Sequence, residues 1–138
     1  MNIEIKGMAE AIAKLGKTKV IEILRSPMQR GLYRLQYVMQ DYPPAPPNSR
    51  YIRGYGFRGG PRTSENLGKR WTTRIETSAN GITGKLGNNA SYGPLVQSER
   101  FQTRVHRRTG WPTDAQAVKK NEKDIVADFE RTIQQALR

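Results

Sequence analysis

The chain has 138 residues, enough for one domain with a modest core, and its hydrophobic share of 36% is low enough that part of it should lie outside any core. It has no cysteine, which excludes disulfides, thiolate nucleophiles and zinc sites built on sulfur. Lys and Arg number 24 against 12 Asp and Glu, a formal charge of +12 that calls for a polyanionic or acidic neighbour: nucleic acid, acidic protein, or an acidic face on another subunit.

The opening stretch, MNIEIKGMAEAIAKLGK, lacks the continuous apolar run of a secretory signal, and no run anywhere is long enough to cross a bilayer. A soluble protein made in the cytoplasm is expected. Met8, Ile12 and Leu15 recur at helical spacing and predict a short helix closed by Gly16. Ile21, Leu24, Met28, Leu32, Leu35 and Met39 then predict a longer helix over residues 18–42. Pro27 interrupts it. Ser26 stands where an N-cap belongs and Gln29 where a capping box wants its partner, so the expectation is a short helix feeding a longer one, or one helix kinked at Pro27.

Residues 43–70 end regular structure. YPPAPPNSRYIRGYGFRGG packs prolines, glycines, aromatics and arginines together; its prolines lack backbone donors and restrict their predecessors, so PPAPP should run extended. A loop this long in a compact domain is usually functional or disordered. From Trp71 the period changes to two: Trp71, Thr73, Ile75 and Thr77 share one face, and Thr72, Arg74 and Glu76 the other. Asn80-Gly81 signals a hairpin turn, and the returning strand carries Ile82 and Leu86. NNASYGPLVQ is the candidate third strand, at an edge because of Pro94, which makes residues 71–97 a hairpin or meander. Trp71 and Tyr92 are expected in or beside the core.

Residues 98–112 read as a basic, irregular loop. Residues 113–138 read as a helix, capped by Thr113 and Asp114 or starting nearer Asn121, with Val118, Ile125, Phe129, Ile133 and Leu137 as its apolar stripe. The expected fold is α+β and a single domain: a small antiparallel sheet of three to four strands, with a long N-terminal helix (within residues 1–42) and a C-terminal helix packed on one face.

Catalytic chemistry finds little support. The one histidine, His106, has Arg104, Arg107 and Arg108 as neighbours rather than a carboxylate or a positioned nucleophile. Asp124, Asp128 and Glu130 alternate with Lys123 and Arg131 as on a solvated helix face, not as in a metal cage. Gly54, Gly56, Gly59 and Gly60 lack the lysine and the Ser or Thr of a phosphate loop. No enzyme, cofactor, metal or small-molecule ligand is expected. Arg50, Arg53, Arg58, Arg62, Lys69 and Arg70 do interleave with Tyr51, Tyr55, Phe57 and Trp71, and Arg100, Arg104, Arg107 and Arg108 sit beside Phe101 and Trp111. That mixture suits phosphate tracking and base stacking, and equally suits a protein interface.

Taken in order, YPPAPPNSRYIRGYGFRGG, SENLGKRWT and LGNNASYGPLVQSERFQTRVHRRTGW, closing on an amphipathic helix, resemble the tail-completion and head–tail joining proteins of long-tailed, lambda-like phages. The residues that carry the resemblance are Pro43, Pro44, Arg53, Gly54, Leu67 and Trp71, then Asn88 or Asn89, Tyr92, Gly93 and Val96, over a span from about Ile21 to the C-terminus. The spacing between Arg53-Gly54 and Trp71 is longer here than the family pattern. The resemblance implies a structural virion protein of the neck or tail end, made in the bacterial cytoplasm. Its copies would form a ring, commonly sixfold, that contacts neighbouring neck or tail-tube proteins while DNA passes through. The proline-rich segment would then be an arm, with Tyr51, Arg53, Tyr55, Phe57 and Arg58 as interface residues, joined by Arg107, Arg108 and Trp111 on the later basic loop. The alternative is a sequence-nonspecific nucleic-acid-binding module that uses the same arginine- and aromatic-rich loop.

Overall fold

The computed structural model describes residues 5–43, 51–52, 56–57, 67–79 and 81–138. In chain order the elements are α1 (Met8–Leu15), α2 (Lys17–Gln40), β1 (Tyr51–Ile52), β2 (Gly56–Phe57), a 3₁₀ turn (Leu67–Lys69), β3 (Trp71–Ser78), β4 (Gly81–Asn88), α3 (Gly93–Gln97), α4 (Arg104–Arg108) and α5 (Asp114–Ala136). The fold is α+β. β3 pairs with β4, and β1 pairs with β2 in antiparallel register, Tyr51 opposite Phe57 and Ile52 opposite Gly56. The chain divides into two compact units.

The first unit comprises Met1–Leu35, Thr73–Leu86 and Lys119–Arg138. Gly7 and Gly16, each at φ 83°, bracket α1, and Gly16 ends it where the periodicity stops. Within α1 Glu10 pairs with Lys14 at 3.0 Å, acid in the first turn and base in the last, as the helix dipole favours. α2 runs unbroken through Pro27, whose ring is wholly buried, so of the two expected arrangements the single helix forms. Ser26 is not a cap; its hydroxyl accepts a hydrogen bond from Arg30 at 2.6 Å. A mid-helix proline forfeits one backbone bond and crowds the preceding turn, about 3 kcal/mol, and burial of Val20, Leu24 and Leu32 on either side of it works against that cost.

Alternation on β3 and β4 puts Thr73, Ile75, Ile82, Gly84 and Leu86 inward and Arg74, Thr83 and Lys85 outward. Glu76 bonds Lys85 at 3.0 Å across the strands and Arg74 at 3.2 Å, which holds its carboxyl below the usual range. Ala11, Val20, Leu24, Phe129 and Ile133 form the core, with Met28 of α2 and Ile82 of β4 packed on it, so the helices cover one face of the hairpin. Gly84 faces Met28 and Leu32 so closely that a Cβ there would lie 2.5 Å from Met28 Sδ. α2 and α5 are tied by Arg30 to Asp128 (2.7 and 3.0 Å) and Arg34 to Asp124 (3.0 Å), while Ile125 packs over Gly31.

The second unit comprises Gln36–Thr72 and Gly87–Val118. Its core is Leu67, Ala90 and Val96, with Tyr42 and Trp111 against it at 5.0 Å between ring centroids. Tyr42 Oη accepts from Gly68 N at 2.9 Å; Asn88 donates to Leu67 O and accepts from Ala90 N. The 3₁₀ turn is thereby locked beside the end of β4.

Three expectations are corrected. The sheet gains no third or fourth strand among the described residues: the predicted edge strand is α3 instead. Pro94 lies in the first turn of that helix, where its preset φ fits and its missing N–H costs nothing. The basic segment 98–112 contains α4 rather than irregular chain alone. Tyr92 is exposed, because as the residue preceding α3 it turns outward while Gly93 and Val96 turn in.

The C-terminal helix starts at Asp114, not near Asn121. Thr113 and Gln116 form the reason: Gln116 N donates to Thr113 Oγ1 (3.2 Å) and Thr113 N to Gln116 Oε1 (3.1 Å), a reciprocal capping box.

Candidate interaction surface

The basic segment of the second unit is held by polar side chains buried beneath it. Gln102, nearly inaccessible, donates through Nε2 to both Val96 O and Trp111 O at 2.8 Å. Gln97, also buried, donates to Met39 O at 2.8 Å. Thr103 N donates to Leu95 O at 2.9 Å and Gln102 N to Ser98 O at 2.8 Å, so the residue that caps α4 is bonded to α3. Asp114 Oδ1 accepts from Glu99 N at 3.0 Å and from Ala115 N at 2.9 Å, which fixes the turn to the start of α5. The consequence of these anchors is a presented surface with less conformational freedom left to lose.

Arg104, Val105, Arg107 and Arg108 are exposed on α4. None of its arginines, nor Arg100, enters an ion pair among the described residues; Arg100 lies over the Phe101 ring at 5.2 Å. His106 Nδ1 and Thr103 Oγ1 are 2.6 Å apart, and its ring meets Trp111 edge-on at 6.2 Å. The imidazole thus helps to set the first turn of α4 and its packing.

Of the residues singled out from the sequence, Arg107 and Arg108 are exposed, whereas Trp111 is half-buried and packs in the core of its unit. Tyr51 and Phe57 are opposite one another in the backbone register of the β1–β2 ladder. Arg53, Tyr55 and Arg58 lie outside the described residues. Sequence reasoning missed Leu95 and Val105 as surface groups, although Val105 stands four residues after Phe101 in an otherwise polar run, the spacing of an apolar pair on a helix.

Other concave or charged features bind their own groups. A groove of about 420 Å³ beside Arg30, Arg34, Asp124 and Asp128 is lined by charges already paired with one another. Among the described residues no three His, Cys, Asp or Glu side chains gather to hold a metal, and no helix is long and apolar enough to cross a membrane. No protein-family model, curated protein or solved structure matches the chain.

Proposed function

We propose that the chain is a structural, non-enzymatic subunit of a tailed-phage neck or tail end, which assembles in a ring around the DNA path and completes the tail or joins it to the head. The observation that carries this reading is the order of sequence motifs from Pro43 to Val96, set on an α+β frame that ends in a long amphipathic helix. The anchored, arginine-bearing surface on α3 and α4 supports it, since assembly subunits need rigid patches that keep polar or apolar groups unsatisfied until a neighbour arrives. In this reading the arm residues Tyr51, Arg53, Tyr55, Phe57 and Arg58 contact a neighbouring subunit or another neck protein, and the virion is where the protein resides. The excess of positive charge serves acidic neighbours and weak, dispersed phosphate contacts; tight DNA binding would impede passage.

The test is an early stop codon in the gene, with the lysate imaged by negative-stain electron microscopy. Separate filled heads and finished tails assign the protein to joining, and overlong tails assign it to ending tail growth. Intact infectious particles overturn the proposal.

A further inference from the structure

The segment 92–108 presents four large apolar side chains at the surface. Tyr92, Leu95, Phe101 and Val105 are 42%, 49%, 55% and 64% exposed, although the Thr103–Leu95 backbone bond and the Gln102 anchors hold their backbone in place. Arg100, Arg104, Arg107 and Arg108, all exposed, interleave with them along the segment. Exposed apolar groups among cations, on a backbone already ordered, have the composition of a binding face.

We propose that α3 and α4 form a docking surface for an acidic amphipathic segment of another protein, its apolar side chains against Leu95, Phe101 and Val105 and its carboxylates against Arg104, Arg107 and Arg108. Charge complementarity chooses the occupant. A second copy presenting the same face is a poor fit, because like faces would bring arginines together, and of the chain's acids Glu10, Glu22, Glu76, Asp124 and Asp128 are already in ion pairs of their own. Nucleic acid would reward the arginines and the Tyr92 ring but leave Leu95 and Val105, the aliphatic groups, without a stacking partner, and Arg100 already covers one face of Phe101. A bilayer surface is disfavoured too, since α4 has only 5 residues and interfacial binding scales with buried apolar area. The assignment stands on these contacts and does not depend on the neck reading.

The test is fluorescence anisotropy on the full chain with a labelled synthetic helical peptide, leucine along one face and glutamate along the other. The comparators are the same peptide with leucine replaced by serine, a short DNA duplex, and phosphatidylserine vesicles. Saturable binding of the first peptide is expected. It should weaken about tenfold or more with serine in the peptide, with Leu95→Ser plus Val105→Ser in the protein, and with Arg104→Gln plus Arg107→Gln. Thermal melts establish that the variants fold; a pair that unfolds is replaced by Val105→Thr or Arg107→Gln alone, with the direction of the effect unchanged. Absence of saturable peptide binding overturns the proposal. So does binding insensitive to the leucine and valine changes, or tighter binding of duplex or vesicles than of peptide.

Discussion

Gly84→Ala would add one methyl group at the closest approach of β4 to α2. Built on the present backbone, that carbon lies 2.5 Å from Met28 Sδ, 3.1 Å from Met28 Cγ and 3.1 Å from Leu32 Cδ1, where carbon pairs prefer about 3.5–4.0 Å. Met28 is half-buried and flexible, so its thioether can swing aside; Leu32 is buried and has less room. Overpacking of this kind costs about 1–3 kcal/mol, offset by about 0.4–1 kcal/mol from the narrower unfolded ensemble of alanine. The expected net loss is about 1–2 kcal/mol, or a fall in Tm of roughly 3–10 °C. Urea unfolding of Gly84→Ala, Met28→Ala and the double variant gives the cycle. In the Met28→Ala background the obstructing sulfur is gone and only the 3.1 Å approach to Leu32 remains, so Gly84→Ala should cost less there, by about 1 kcal/mol. An equal cost in both backgrounds, or a stabilised single variant, would refute the close approach as the reason for glycine here.

Acid should act on the first unit through Asp128. Its carboxyl is held below the usual range chiefly by the hydrogen bond from Arg30, so its contribution is fully present above the unfolded value near ~3.9 and is lost as pH falls through the lower folded value. Asp128→Asn should therefore be less stable than the parent at neutral pH and lose less on acidification; parallel stability-versus-pH curves for the two proteins would count against the pairing. In the second unit, Gln102→Leu removes the donor to Val96 O and Trp111 O and should cost about 1–3 kcal/mol. Amide exchange of Thr103, bonded to Leu95 O, should quicken at the same time; unchanged protection would show that α3 and α4 hold together without that side chain.

The sequence by itself determined what depends on near neighbours along the chain. Three- and four-residue spacing placed α1, α2 and α5, Thr113 and Asp114 offered one of two possible starts for α5, and alternation from Trp71 located the β3–β4 hairpin, because periodicity, caps and pleat are local properties. Tertiary structure decided the rest. Ser26 and Pro27 carry the local signature of a helix start, yet the buried face on both sides of Pro27 keeps α2 whole. SYGPLVQ reads as an edge strand, and the burial of Val96 and Gln97, with Gln97 bonded to Met39 O, goes instead with helix. The pairing of Arg30 with Asp128 joins residues far apart in sequence, which no spacing rule reaches. The exposure of Leu95 and Val105 follows from the same cause: a residue's hydrophobicity is its own, but whether it is covered depends on which distant segment packs over it, and none of the described segments buries these two.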